Sequence, residues 1–180
     1  WYEGVASDAP AADTDGAGNY PLSAITQRPM FMYHSWGSQN AWLRQIAARN
    51  FLYLHPQTAS RYGVHDEDWL WIASPLGRIR VQAKLHAATA PGTVWTWNAI
   101  GKRKGAWKLS GNAPESREGF LLNHLISELL PAADHAHRYA NADPVTGQAA
   151  WFDLRVRIET DAEPRVPGHR IEPIARDAVR

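Results

Sequence analysis

The residues best suited to chemistry in this chain stand in one stretch. Tyr33, His34, Ser35 and Trp36 are followed four positions on by Asn40, with Trp42 and Arg44 just beyond. Two indoles, several hydrogen-bonding side chains and a small-residue turn are what a loop needs to wrap a large, polar, ring-containing ligand. Apolar and aromatic surface supplies the contact area, and a few placed polar groups fix the orientation. The same residues would also make an ordinary strand–loop–helix corner with buried Trp, and residue types alone leave both readings open.

Other candidate chemistry is weaker. For a metal, the candidates are His34, His55, His65, His86, His124 and the pair His135 and His137. The His-x-His pair has no third ligand nearby and reads as a solvated loop rather than a metal site. His55 precedes Pro56 and reads as a capping or packing residue. Asp66, Glu67 and Asp68 are adjacent in a turn, where neighbouring acids repel and stay hydrated, so they read as a solubilising corner and not as an acid–base pair. No Gly-x-Ser-x-Gly elbow is present, and neither a phosphate-cradling nor a dinucleotide-binding glycine motif follows a strand. Lys102, Arg103, Lys104 and Lys108 cluster between Trp97 and Trp107, either as a solvated loop or as a surface for a phosphate or an acidic partner. The chain therefore carries no self-contained catalytic constellation. It carries several polar-aromatic loops.

The elements that must position these loops are mostly short strands. Leu22 to Thr26 is the first, and Pro29 interrupts after it. Ala41 to Asn50 has Trp42, Ile46 and Arg49 at helical spacing, with Asn50 as a stop, and reads as a short helix or only a turn. Phe51 to Leu54 is a second strand, ended by His55-Pro56. Pro56 opens a short helix through Tyr62, and Gly63 stops it. Trp69 to Ser74 and the alternating Ile79, Val81 and Ala83, joined at Pro75-Leu76-Gly77, predict a half-buried β-hairpin with Arg78, Arg80 and Gln82 on its wet face. Thr93 to Trp97 is another strand. Residues 101–118 read as a long loop, and Phe120 to Leu130 as helical or extended. Asp143 to Gly147 is a turn, and Phe152, Leu154, Val156 and Ile158 mark a clear strand. About six short strands with few helices favour a mainly β, closed barrel over a parallel α/β sheet. We expect residues 1–19 to be a linker or lead-in, 20–160 the barrel, and 161–180 an extended tail.

Composition bounds the rest. The length of 180 residues suits one domain with tails. Lys plus Arg number 19 and Asp plus Glu 18, a formal charge of +1 that gives no global attraction for nucleic acid. The chain has no Cys, which excludes disulfides, thiolate metal sites and iron–sulfur ligation within these residues. No apolar run approaches the roughly 20 residues that span a bilayer. The chain starts at Trp1 rather than Met, from which we expect a piece of a longer polypeptide, with tag removal or processing as the alternative.

The order of the pieces resembles the C-terminal domain of the dimethyl sulfoxide reductase superfamily, the molybdopterin guanine dinucleotide oxidoreductases. The resemblance runs from about Tyr20 to Ile158. It is carried by Tyr-Pro-Leu-x-x-Ile-Thr-Gln-Arg-Pro at 20–29, His34-Ser35, Asn40-x-Trp-Leu-Arg, and Leu54-His55-Pro56-x-Thr58-Ala59-x-x-x-Gly63. It continues with Ser74-Pro75-x-Gly77, Pro91-Gly92, Asn123 and Asp143-Pro144-x-Thr-Gly147-Gln148. Each piece is common, but together their order and spacing are specific.

The resemblance implies a six-stranded double-psi β-barrel, with short helices, that covers the pterin dinucleotides. It implies cofactor contacts from Thr26, Gln27, Arg28, Met32, Tyr33, His34, Ser35, Trp36 and Asn40. Trp97, Asn98, Asn123, Gly147 and Gln148 complete the set. No residue here is expected to be catalytic or to ligate the metal, and the isolated piece should not turn over substrate. The cofactor would be molybdopterin guanine dinucleotide with molybdenum or tungsten, and any Fe-S cluster would lie in the missing part of the parent chain. The wording around Gln27-Arg28-Pro29-Met30 and Tyr33-His34-Ser35-Trp36 leans toward electron transfer with a sulfur compound such as sulfite, polysulfide or thiosulfate. Implied partners are the remaining domains of the parent subunit, together with iron–sulfur and membrane-anchor subunits, at the cytoplasmic or periplasmic face of a prokaryotic membrane. Two other readings compete: a non-enzymatic double-psi barrel that recognises a partner through the 101–118 loop and the tail, and a small self-processing barrel cleaving at Gly37-Ser38.

Overall fold

A computed structural model describes residues 20–33, 37, 40–47, 49–98, 100, 120–126, 142–143, 145–148 and 154–173. Seven strands form one sheet: β1 (Leu22–Gln27), β2 (Leu52–Leu54), β3 (Trp69–Ser74), β4 (Gly77–Leu85), β5 (Thr93–Trp97), β6 (Arg155–Thr160) and β7 (Arg170–Pro173). Two short helices, α1 (Ala41–Ile46) and α2 (Pro56–Arg61), and a 3₁₀ turn at Leu122–Leu125 complete the described elements.

The strand order is β2-β5-β1-β6-β3-β4-β7, and an additional β2–β4 pairing closes the first six into a barrel. This is the mainly β, six-stranded closed barrel with short helices that the sequence predicts. Two strands make closure possible. Along β4, Gly77 to Gln82 pair antiparallel with β3, while Ala83 to Leu85 pair parallel with Leu52 to Leu54. On β6, Arg155 and Val156 pair with β1, and Arg157 to Thr160 pair with β3. The parallel β1–β5 pairing sets Thr26 beside Thr96 and Gln27 beside Trp97.

Alternation fills the interior. Leu22 and Ala24, Leu52 and Leu54, Leu70 and Ile72, Ile79 and Val81, Val94, Val156 and Ile158 all lie in one buried cluster with Phe120, Leu122 and Leu125. Each fully buried Leu or Ile contributes about 1.5–3 kcal/mol. The helix punctuation follows the sequence. His55 caps α2 by accepting from Gln57 N at 3.0 Å. Pro56 takes the first turn, where its missing donor costs nothing. Gly63, at φ 63, supplies the left-handed residue that ends the helix.

Several expectations need correction. The β3–β4 hairpin is not half-buried: all six residues of β3 are buried, because the outward Trp69 and Trp71 are themselves covered. Arg80, expected on a wet face, is 2% exposed. Its guanidinium bonds Asp161, Gly168 O at 2.8 Å and Glu163 O at 2.8 Å, and it stands 5.0 Å from the Trp69 ring centroid. His169 meets Trp69 edge-on at 4.8 Å, and Arg78 lies 4.4 Å from the Trp71 centroid. The stretch after β6, expected as an extended tail outside the core, is thus strapped over β3, and β7 continues the sheet on β4.

The acidic turn is not merely solubilising either. Asp68 is buried and accepts from His65 N at 2.8 Å, with Arg165 Nη1 at 2.9 Å from its other oxygen as an ion pair off hydrogen-bond alignment. Asp66 accepts from Leu85 N at 2.8 Å and Lys84 Nζ at 2.7 Å, which pins the turn to the end of β4. Burial pushes the Asp66 carboxyl up, but those two hydrogen bonds outweigh it and hold the group below its ordinary value. The β6 strand runs two residues beyond its predicted end at Ile158, to Thr160.

Candidate cofactor-binding site

The parallel pair β1–β5 brings the predicted site residues of both strands to one end of the barrel. Gln27 and Trp97 are register partners there, and Asn98 N donates to Gln27 O at 2.8 Å just past the last pair. Thr26 and Thr96 are neighbours across the pair, and Thr96 is fully buried. Gln27 and Arg28 are exposed beyond them. The Trp97 indole is turned to the outer wall, where Nε1 donates to Tyr53 OH at 3.2 Å. Tyr53 stacks on Trp95 at 4.0 Å and 9°, so this wall is an aromatic sheet surface that fixes β5 against β2.

Asn98 is the distinctive residue. Its Oδ1 is buried and has no hydrogen-bond partner among the described residues. A buried amide oxygen left without a donor costs about 1–3 kcal/mol, so natural proteins rarely leave one without a use. An acceptor at that place suits the ring N–H or exocyclic amine of a purine or pterin.

Asn123 sits exposed in the 3₁₀ turn, between the buried anchors Leu122 and Leu125. That turn is tethered at its far end by Ser74 Oγ, which donates to Leu125 O at 2.9 Å. At the near end, Asn50 Nδ2 reaches Phe120 O at 3.4 Å and Trp97 O at 2.7 Å. Sequence reasoning took Asn50 only as a helix stop. The available signal was a polar residue immediately before a buried strand, which does not distinguish a stop from a hub.

The remaining predicted residues fall in several places. Met32 is buried and packs where a Cβ on Gly37 would stand 3.4 Å from its Cγ. Tyr33 is exposed. Asn40 caps α1, its Oδ1 accepting from Trp42 N at 2.9 Å and Leu43 N at 3.4 Å, so that oxygen is already engaged. Gly147, at φ 71, and Gln148 are exposed in a turn built on Asp143, whose Oδ1 accepts from Thr146 N at 2.7 Å and Val145 N at 3.0 Å. Those bonds, the Thr146 backbone first, hold the Asp143 carboxyl below its ordinary value. The hydrogen bonds of this turn among the described residues stay within it. His34, Ser35 and Trp36 lie outside the described residues. So do the His135–His137 pair, the 101–118 loop, Ser38, residues 127–130 and the start of the last predicted strand. Among the described residues no three His, Asp or Glu side chains gather as a metal site, and no helix is long and apolar enough to cross a membrane.

The closed mixed barrel thus presents the amides of Gln27 and Asn98 at the shared end of β1 and β5. The Molydopterin dinucleotide binding domain family matches residues 22–138, and the chain belongs to that family. The A subunit of sulfite dehydrogenase from Allochromatium vinosum is 56% identical over 159 residues, 87% of this chain and 16% of that protein. The A subunit of tetrathionate reductase from Salmonella typhimurium is 29% identical over 172 residues, 88% of this chain and 16% of that protein. The chain thus spans about one-sixth of the length of these relatives. Acetylene hydratase from Pelobacter acetylenicus has the same fold, with a TM-score of 0.58 at 20% identity over 89% of this chain and 21% of that one.

Proposed function

We propose that this chain is the cofactor-covering domain of a larger molybdenum oxidoreductase and that it holds a molybdopterin guanine dinucleotide. The observation that carries the reading is Asn98 Oδ1, a buried acceptor without a partner among the described residues, at the shared end of β1 and β5. Asn98 accepts from a ring or exocyclic N–H, while Asn123, Gln148 and Gln27 offer further neutral donors and acceptors. Thr26, Arg28, Tyr33, His34, Ser35 and Trp36 complete the contact set on the first loop. Neutral amides suit the polar edges of a guanine or pterin, and backbone N–H groups with Arg28 suit the phosphates. When bound, the metal centre supplies the redox chemistry, and the protein supplies orientation and shielding. We assign none of the described residues a role in taking a proton or breaking a substrate bond. Met32 and Asn40 serve the loop from behind, as packing and as a helix cap.

The substrate we infer is a sulfur compound such as sulfite, which the 56% identity to a protein of sulfite dehydrogenase supports. The remaining domains of a longer parent chain would complete the enzyme. Both relatives are the A subunits of their enzymes, which supports the presence of further subunits. Iron–sulfur and membrane-anchor proteins at a prokaryotic membrane are the partners we propose. The test is Ser35→Ala with Asn123→Ala in the full parent chain. Molybdenum and guanine nucleotide per chain should fall several-fold while the variant still unfolds cooperatively. Wild-type content of both would overturn the site. Residues 1–180 alone should show no sulfite or polysulfide turnover.

A further inference from the structure

We propose that Asn50 is a positioning residue for the dinucleotide, holding the backbone at Trp97 so that Asn98 stands where the cofactor needs it. This rests on the cofactor reading above and extends it to a residue outside the predicted contact set.

Asn50 is 1% exposed and uses both ends of its amide. Its Oδ1 accepts from Phe51 N at 3.1 Å and Trp97 N at 3.2 Å. Its Nδ2 donates to Trp97 O at 2.7 Å and reaches Phe120 O at 3.4 Å. Both peptide units flanking Trp97 are therefore fixed by one side chain. The second of them is held at two ends, because its oxygen takes Asn50 Nδ2 while its N–H, that of Asn98, donates to Gln27 O at 2.8 Å. A peptide plane held on both sides leaves Asn98 little freedom in where its Cα, and so its unpartnered amide oxygen, is placed.

The same Asn50 amide fastens Phe120, two residues before the 3₁₀ turn that carries Asn123, and Ser74 fastens that turn at Leu125. Only a short side chain with two donors and an acceptor can make this set of bonds. Asp offers no donor to the two carbonyls, and Leu offers neither group.

The experiment uses the loaded parent enzyme and follows release of the dinucleotide after dilution, by pterin fluorescence and guanine nucleotide in the filtrate. Four proteins are compared: wild type, Asn50→Asp, Asn98→Ala and the double variant. Asn50→Asp should release about tenfold faster, about 1.4 kcal/mol. The double variant should release no more than about twofold faster than Asn98→Ala, because Asn50 acts through Asn98. Thermal unfolding of the cofactor-free proteins runs alongside. An Asn50→Asp protein that melts earlier but releases at the wild-type rate, or effects that multiply in the double variant, would overturn the proposal while leaving the Asn98 contact intact. A wild-type release rate for Asn98→Ala would overturn the contact and the positioning role together. If Asn50→Asp does not accumulate folded, Asn50→Ser, which keeps one donor and an acceptor, takes its place in the same cycle.

Discussion

Arg80→Met should free the segment after β6 from the barrel. The guanidinium is 2% exposed and makes three separate contacts to that segment: Asp161, Glu163 O and Gly168 O. Met fills much of the same volume against Trp69 but supplies no donor. Removing one partner of a buried ion pair typically costs about 3–5 kcal/mol, since the remaining charge stays desolvated. Asp161 keeps 12% of its side-chain surface in water, and Glu163 is exposed, so water can recover part of the loss. We therefore expect the lower end, about 3 kcal/mol, read as a shift of the urea midpoint of the 180-residue chain by Trp fluorescence. A second readout localises the effect. Arg165 lies within the strapped segment with 68% of its side chain exposed, and trypsin should cut there at least tenfold faster in the variant, about 1.4 kcal/mol of local opening. Arg80→Met with Asp161→Leu should recover much of the loss, because no unpaired charge remains. A midpoint change under about 1 kcal/mol with unchanged cleavage at Arg165 would refute the idea that this buried arginine holds the strap.

Other outcomes follow from the same geometry. Asp66, Asp143 and Asp161 lie below their ordinary 3.8, and Glu159 below 4.5; for Asp66, Asp161 and Glu159 burial raises the value, but hydrogen bonds from Lys84, Arg80 and Arg157 outweigh it. Such carboxylates stabilise the fold fully above their unfolded values, and that stabilisation is lost as pH falls through the lower folded ones, so the urea midpoint should start to drop below 4.5 and go on falling below 3.8. Gly63→Val should cost about 1–2 kcal/mol by the same assay, from backbone strain alone, because nothing lies within 4 Å of the added Cβ at φ +63. Asn40→Asp should retain cofactor as the wild type does, since Asp caps α1 equally well, whereas Asn40→Ala should weaken the loop by about 1 kcal/mol. Loss of cofactor from Asn40→Asp would instead make its amide nitrogen a direct contact.

What could be read from the sequence was local. Pro56 and Gly63 bracket α2, Pro75 to Gly77 turn the hairpin, and alternation marks β1 and β6, because each signal acts within a few residues. The buried Arg80 was misplaced because alternation reports the pleat and not what covers it. Its partners lie 81 to 88 positions further along the chain. Asn50 escaped for a like reason, its partners at Trp97 and Phe120 lying 47 and 70 positions away. Barrel closure through β2 and β4 is equally non-local, and strand count only suggested it. Gln27, Trp97 and Asn98 meet at one end of the barrel because β1 and β5 run parallel, a pairing that no local pattern in either strand announces. The engagement of Asn40 as a cap, and of the Trp97 indole with Tyr53, could not be read without the folded chain.

The most direct measurement is a structure of the parent enzyme with its cofactor bound, read at Asn98. Asn98 Oδ1 should lie within about 3.2 Å of a nitrogen of the dinucleotide. An Asn98 oxygen satisfied by protein, with the dinucleotide bound away from the β1–β5 end, would contradict it.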